Sequence, residues 1–245
     1  MNENKKNLFF TYDELKESFP VEQHLHTSFT DGANTPEEII ENAMEKGIKR
    51  IVFTEHVQRS SSWYKRFIKV LNDLKLKYEN RITICAGIEA KMINLEGEID
   101  ATDSQKDLAE IIMGSVHGYL KGEKELEYYE FEELGAKKGL ELEFKQTLLM
   151  IKNHKQYGIN VIGHPFGKFI SNYDIRVPYK YWEEIISLIR DVNLAFDLNF
   201  LYHKDYFGEI LELAEQYQVK LNVGSDAHNL GDIGKCYSQI KAIYI

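Results

Sequence analysis

Six of the eight histidines in this chain stand at or just after the end of a short apolar segment. Neutral imidazoles are common ligands of divalent metal ions, and six that converge on one end of a fold outweigh the plain interpretation of each as a core or surface residue. Carboxylates accompany them in the same segments. Such a mixed ligand set predicts a metal site, and it suits zinc, iron and manganese alike. The six histidines are His24, His26, His56, His117, His164 and His228.

Two motifs place their side chains in pairs. In His24-Leu25-His26, residues i and i+2 of a strand point to the same side, so both imidazoles face inward and Leu25 faces outward. This first pair can chelate one divalent ion from a stiff strand. Asp226 and His228 have the same spacing in the run GSDAH, which places them together on one side of their segment.

Two further carboxylates lie in comparable positions. Glu89 ends the apolar run of a strand, where burying a lone carboxylate is costly, so a functional role is favoured. Its two oxygens allow it to bridge two metal ions. Asp31 lies in the loop after the first strand, and an ordinary Asp-Gly turn is its alternative interpretation.

Short β-branched runs that alternate with longer amphipathic stretches must position these residues. This pattern predicts repeated βα units, with helices from 36 onward and near 63–79, 140–157, 179–191 and 206–217. Thr35 is the expected N-cap of the first helix and Pro36 its first residue. The acidic stretch 121–139 is predicted to be partly helical, either as an insertion over one mouth of the domain or as a solvated helix. Strands are predicted at 21–26, 50–56, 83–91, 111–117, 160–165, 193–199 and 221–227.

No linker or charge block divides the chain, so we expect residues 1–245 to form one α/β domain. Seven unbroken βα units favour a closed parallel barrel over an open sheet. In such barrels the functional residues lie at the carboxyl ends of the strands, where the histidines are predicted. The expected fold is therefore a distorted (β/α)7 TIM-like barrel.

The composition restricts the classes of molecule that this protein is expected to bind. A formal net charge of -9 argues against a nucleic-acid or anionic-membrane surface, although bound cations would still allow a small anionic substrate. No apolar run approaches the roughly 18 residues that span a bilayer, and the first residues, MNENKKNLFF, contain neither the apolar core nor the small-residue cleavage site of a signal sequence. The two cysteines, Cys85 and Cys236, form no disulfide framework. We therefore expect a cytoplasmic protein.

The ordered motifs HLHTSFTDG, TEH, GIEAK, GSVH, GHP and GSDAH resemble those of the PHP (polymerase and histidinol phosphatase) family of metallohydrolases, and they span residues 24–228. The resemblance is greatest to its free-standing, histidinol-phosphatase-like members. It implies a distorted (β/α)7 barrel with two to three divalent ions. Glu55 stands where the family usually has Asp, an exchange that we expect to matter little because His56 is the ligand.

The resemblance also implies a ligand set and an activity. It assigns His24, His26, Glu89 and Asp226 to a first metal, Glu89, His117 and His164 to a second, and Asp31, His56 and His228 to a third. Of these, Glu89, Asp226 and His228 are expected to take part in catalysis. The implied reaction is hydrolysis of a small-molecule phosphate monoester by metal-activated water, with histidinol phosphate as the leading substrate.

Residues near the strand ends are candidates for binding that substrate. Four cationic side chains are expected to clamp the phosphate: Arg59, Lys91, Lys168 and Arg176. Asp197 and Asn199, inward together on the sixth strand, would either contact the rest of the substrate or orient the ligands. Two other functions compete. A nuclease or phosphodiesterase would need a basic, aromatic-laced surface, and a non-catalytic metal-binding module would not need a complete ligand set.

Overall fold

The computed structural model describes residues 8–122, 124–126, 130 and 133–244. Seven parallel strands, β1 to β7, form the main sheet, and their spatial order follows the chain. Each strand pairs with the next in parallel register, as Arg50 with Thr83 and Ala195 with Lys220. The strands are β1 Val21–Glu22, β2 Arg50–His56, β3 Thr83–Lys91, β4 Ile111–Ser115, β5 Val161–Gly163, β6 Ala195–Asn199 and β7 Lys220–Gly224.

The first and last strands approach each other and nearly close the sheet. Gln23 N–H donates to the carbonyl oxygen of Val223 at 2.9 Å, and His26 N–H donates to that of Ala227 at 3.0 Å. An isolated parallel bridge joins Leu25 to Ala227. The helices surround this sheet, which confirms the predicted distorted (β/α)7 barrel.

The longer helices begin and end close to their predicted positions. Thr35 caps α2 by accepting the N–H of Glu38, whose side chain accepts the N–H of Thr35 in return, so the predicted cap is confirmed. Patterning did not predict the short helices or the carboxyl-terminal α10. The helices are α1 Tyr12–Lys16, α2 Pro36–Glu45, α3 Tyr64–Lys77, α4 Asp103–Lys106, α5 Ala136–Tyr157, α6 Gly167–Asn172, α7 Tyr179–Asp191, α8 Phe200–His203, α9 Phe207–Tyr217 and α10 Lys235–Ile243.

Most strands end two or more residues before the sequence predicted. The segment 21–26 is a strand only over Val21–Glu22, and 221–227 ends as a strand at Gly224. His164 and Asp226 have positive φ angles of 21° and 53°, which no regular strand accommodates. The histidine-bearing motifs therefore lie mainly on irregular segments that continue the strands.

Two apolar regions support the barrel. One fills the space between sheet and helices and includes the fully buried Leu25. The other occupies the end of the barrel away from the histidines and contains Val52, Cys85 and Met113, against which Leu8 and Phe9 pack. The carboxyl ends of the strands are consequently left for polar side chains.

The predicted insertion at 121–139 is only partly described, because residues 123, 127–129 and 131–132 lie outside the described part of the chain. Within it, Leu120–Lys121 and Lys124–Glu125 pair as a short antiparallel hairpin. Lys91 Nζ, at the end of β3, donates to Glu125 Oε2 at 2.9 Å and ties the hairpin to the barrel. No helix in the described ranges is both long and apolar enough to cross a membrane.

Candidate metal centre

All nine side chains predicted as ligands meet at the carboxyl ends of the strands. Glu89 and His56 stand on β3 and β2, whose register places them directly opposite each other. The other seven lie on the segments after their strands. Five of the nine, including His24, His26 and Glu89, are buried. The fold thus brings together residues that are up to about 200 positions apart in the chain.

Glu89 lies at the centre of this cluster, and each of its oxygens faces a different group. Oε1 is 2.7 Å from His164 Nε2 and 3.0 Å from His117 Nε2. The hydroxyl of Ser115 donates to the same oxygen at 2.7 Å. Oε2 instead faces His56 Nδ1 at 3.1 Å and the Nε2 atoms of His24 and His26 at 3.5 and 3.6 Å.

Asp31 and Asp226 complete the cluster on the side of Oε2. Asp31 Oδ2 lies 3.3 Å from His56 Nε2 and 3.4 Å from His228 Nε2. Asp226 Oδ1 lies 3.2 Å from His26 Nε2. The His26 ring stacks between those of His56 and His228, with centroid distances of 4.2 and 4.5 Å.

Three groups of these side chains bring their ligand atoms within 4.8 Å of one another. His26 and His56 each belong to two groups, whereas the family resemblance assigned each to a single metal. The groups are His26, Asp31, His56 and His228; His24, His26 and Glu89; and His56, Glu89 and His117.

The buried nitrogens of this cluster fit a set of bound cations. His24 Nε2 and both ring nitrogens of His26 are fully buried and have no hydrogen-bond partner in the described part of the chain. A buried polar atom without a partner is costly, and the two Nε2 atoms face the Glu89 and Asp226 carboxylates. Divalent cations between these nitrogens and oxygens would satisfy both.

Burial and neighbouring charges strongly shift the pKa values of the side chains in the cluster. Burial lowers the pKa of His24, but the carboxylates of Asp197, Asp226 and Glu89 outweigh burial and raise it well above its usual value. Burial dominates at His26 and lowers its pKa to about 4. At His56, burial is outweighed by hydrogen bonds to Asp31 and Glu89, which raise its pKa to about 10. For Glu89, burial is outweighed by the neighbouring imidazoles, so its pKa lies well below the usual range.

Asp197 and Asn199 lie beneath the cluster, and both are fully buried. Asp197 Oδ2 is 2.8 Å from His24 Nδ1 and accepts the backbone N–H of His164 at 3.1 Å. Asn199 Nδ2 donates to Asp226 Oδ2 at 3.3 Å. These contacts favour ligand orientation, the second of the two roles predicted for this pair.

Three buried glutamates support the cluster in ways that the sequence did not predict. Glu22 accepts the backbone N–H groups of His24, Ser225 and Gly234. Glu55 accepts the N–H of Thr27 at 3.1 Å and the hydroxyl of Thr30 at 2.5 Å, so it shapes the loop that carries Asp31. The third glutamate, Glu143 on α5, binds backbone groups of the loop that follows His164. In the sequence, these glutamates were recognisable only as charged residues within the apolar face of a strand or helix.

A cavity of about 280 Å³ opens over the cluster. Apart from predicted ligands, it is lined by Val116, Lys168, Ser171 and Tyr202. The Tyr202 ring packs on His164 with centroids 5.0 Å apart. Lys168 is the predicted phosphate-binding cation that reaches this cavity.

The other three predicted cations have acidic partners of their own. Lys91 pairs with Glu125 of the hairpin. Arg59 pairs with Glu98, and its backbone N–H donates to Asp100. Arg176 donates to Glu209 at 2.6 Å. None of the three is among the described residues that line the cavity over the cluster.

Known proteins match both the sequence and the fold. A probable phosphatase of Caldicellulosiruptor bescii is 28% identical over 228 residues, covering 88% of this chain and 82% of that protein. The histidinol-phosphatase of Bacillus subtilis is 28% identical over 260 residues, covering 87% of this chain and 95% of that protein. A crystal structure of histidinol phosphate phosphatase from Lactococcus lactis, complexed with zinc, L-histidinol and phosphate, superimposes with a TM-score of 0.71. It is 18% identical, and the match covers 91% of this chain and 93% of that one, which shows a shared fold.

Family models agree with these matches. The PHP-associated model matches residues 208–244, and the PHP domain model matches residues 22–225. The PHP domain range contains seven of the nine clustered side chains and all of the seven-stranded sheet except Val21, and the PHP-associated range contains the other two side chains, Asp226 and His228. The chain therefore belongs to the PHP domain family, whose phosphatases depend on metal ions.

Proposed function

We propose that this protein hydrolyses a small-molecule phosphate monoester and holds two to three divalent metal ions in the cluster around Glu89. One observation carries the proposal: the two oxygens of Glu89 face two different sets of imidazoles, at distances between 2.7 and 3.6 Å. A carboxylate placed in this way is suited to bridge two cations. A single buried ion pair would need only one of these partners.

The predicted ligands divide between the two sides of Glu89. His117 and His164 would hold a metal with Oε1, while His24, His26 and Asp226 would hold one with Oε2. A third would lie among Asp31, His56 and His228. When bound, such ions lower the pKa of water and stabilise negative charge on the phosphoryl oxygens. Zinc, iron and manganese all accept this ligand set.

Hydrogen bonds of the chain fix which ring nitrogen faces the cations. His24 Nδ1 lies 2.8 Å from the Asp197 carboxylate and donates to it, so in the neutral, metal-binding form of His24 the lone pair would lie on Nε2, toward Asp226 and Glu89. His228 Nδ1 lies 2.9 Å from the backbone oxygen of Asp226, which leaves its Nε2 facing Asp31. Among the clustered residues, Glu89, Asp226 and His228 are proposed to take part in catalysis.

The cavity supports a small substrate with one compact anionic group. Its volume of about 280 Å³ admits a metabolite-sized phosphate ester. Lys168 at its rim would bind a phosphoryl oxygen through a charge-assisted hydrogen bond. Because the similar Bacillus subtilis protein is a histidinol-phosphatase, histidinol phosphate is the leading candidate for the substrate.

A phosphodiester is the competing substrate class, and the net charge of -9 argues against a nucleic-acid diester. The test is release of inorganic phosphate from a panel of monoesters that includes histidinol phosphate, with a bis-aryl phosphodiester assayed in parallel. Selective turnover of histidinol phosphate would support the full proposal. Turnover of other monoesters would support the monoesterase and remove that substrate, while cleavage of the diester alone would contradict the monoesterase.

A further inference from the structure

Helix α5 packs outside the barrel, and two of its buried polar side chains reach loops at the metal cluster. Glu143 and Gln146 are 0% and 1% exposed, and they stand three residues apart, so they share one face of the helix. Neither belongs to the metal cluster. Ionisable and amide side chains are rarely buried without a partner. The partners here are backbone groups of two loops at the cluster and, for Glu143 Oε2, also the hydroxyl of Tyr119 at 3.4 Å.

Glu143 binds the loop that follows His164. Its Oε1 accepts the backbone N–H of Lys168 at 3.1 Å, and its Oε2 accepts that of Phe169 at 2.5 Å. Both oxygens are therefore engaged by consecutive amides at the start of α6. The side chain of Lys168 projects from this point to the cavity rim.

Gln146 binds the loop that follows His117. Its Oε1 accepts the N–H of Leu120 at 2.8 Å, and its Nε2 donates to the carbonyl oxygen of Gly118 at 3.0 Å. This amide matches one donor and one acceptor of the loop, as a paired strand would. The loop begins directly after His117, which faces Glu89 Oε1.

We propose that Glu143 and Gln146 are positioning residues, through which α5 fixes Lys168 for substrate binding and His117 for metal binding. The proposal rests on the function proposed above. It assigns the loop after His164 to substrate binding and the loop after His117 to metal binding. The backbone of His164 is held separately, because its N–H donates to Asp197. Changes at Glu143 should therefore affect Lys168 and leave the metal ligand His164 in place.

The two positions predict different defects. Glu143→Gln keeps the side-chain shape but replaces one acceptor oxygen with a donor, which leaves one of the two amides without an acceptor. We expect KM to rise about tenfold or more while metal affinity and kcat stay within about threefold of wild type. Gln146→Met keeps the volume and removes both contacts, so we expect metal affinity to fall about tenfold or more.

The experiment measures metal affinity by competition with a chromophoric chelator, and KM and kcat by phosphate release from the metal-loaded protein. Glu141→Gln is the matched control, since it makes the same exchange on the more exposed side of the same helix. The proposal is overturned if Glu143→Gln and Gln146→Met both melt at a lower temperature but keep the KM and the metal affinity of the wild type. It is also overturned if the two variants show the same defect.

Failure of the proposed function would have a different signature. An inactive but fully metal-loaded wild type would contradict the phosphatase, and the metal affinity of Gln146→Met would still test the positioning of His117. If Gln146→Met does not fold, Gln146→Glu, which keeps the acceptor for Leu120, takes its place. An active wild type with an unaltered KM in Glu143→Gln would contradict the positioning of Lys168 alone.

Discussion

Replacing Asp197 by Asn tests whether the buried carboxylate beneath the cluster controls its affinity for metal. The Asp197 side chain has no exposed surface, and its Oδ2 contacts His24 Nδ1 at 2.8 Å. The exchange keeps the volume and removes one charge. It also allows the new amide group to donate to His24 Nδ1, which would move the imidazole proton to Nε2, the atom that faces Glu89 and Asp226.

The magnitude follows from these contacts. Loss of a partner that orients a metal-binding imidazole lowers metal affinity by about 10- to 100-fold. This factor corresponds to about 1.4–2.7 kcal/mol in binding free energy. The fold should tolerate the exchange, because the amide oxygen at the position of Oδ1 can still accept Asn222 Nδ2, at 2.8 Å in the wild type. Only the contacts of Oδ2 with the His164 N–H and Asn199 Nδ2, at 3.1 and 3.3 Å, become unfavourable.

The assay is competition between the protein and a chromophoric chelator for zinc at a fixed pH. Asp191→Asn is the control, since Asp191 is an exposed carboxylate paired with Arg190 on the outer surface. The control should bind zinc as wild type does. A metal affinity of Asp197→Asn within about threefold of wild type, in folded protein, would refute the argument that the carboxylate orients His24.

Three further predictions concern the cavity, the packing and the protons of the site. Lys168→Met should raise KM for a phosphate monoester about tenfold or more in steady-state assays, whereas Lys145→Met on the exposed face of α5 should not. Gly224→Ala would place its new Cβ 2.1 Å from the Cβ of His24, so denaturant melts should show a free energy of unfolding lower by about 1–3 kcal/mol. Gly208→Ala is the control and should not lower the free energy of unfolding, because its new Cβ lies 3.9 Å from the nearest atom. Since the pKa of His56 is raised from 6.5 to about 10 in the metal-free protein, its ion pairs stabilise the fold fully below pH 6.5 and are lost as pH rises toward 10. Zinc binding at pH 7.5 must displace this proton, so calorimetry in buffers of different ionisation enthalpy should detect release of at least about one proton per protein. Zinc binding without proton release would contradict the assignment of His56 as a metal ligand.

The positions of the clustered residues were predictable because chain order and sheet order coincide. In a parallel barrel every strand ends on the same face, so His24 and Asp226 had to approach each other once seven βα units were recognised. Apolar periodicity was also sufficient for the long helices. It was not sufficient for α10, whose apolar face is short and follows a run of glycine and polar residues.

Backbone detail was not predictable from patterning. The strands were predicted to continue through His26 and Ala227, but the chain leaves regular strand geometry earlier, and Asp226 adopts a positive φ. Hydrophobic alternation continues through such a segment, because Leu25 and Ala227 still pack into the core. Pattern alone therefore extends the strand too far.

Long-range polar contacts were the other feature that the sequence did not reveal. The presence of Glu55 in place of the family's usual Asp was expected to matter little, and its contacts with Thr27 and Thr30 in the loop that carries Asp31 were not predicted. Arg59 was predicted to bind substrate from its position after a strand, and its pairing with Glu98 was not predicted. Which partner a charged side chain selects depends on the folded geometry of distant segments, and a single sequence does not contain it.

Phosphate release by metal-loaded wild type and Glu89→Gln, compared at equal protein concentration, tests the central claim most directly. The wild type should hydrolyse a phosphate monoester, lose this activity on chelation and regain it when zinc or manganese is restored. Glu89→Gln should remain folded, bind fewer metal ions and stay at least about 100-fold less active after metal is restored. Full activity in metal-free wild type, or in Glu89→Gln, would contradict a metal-dependent phosphatase centred on Glu89.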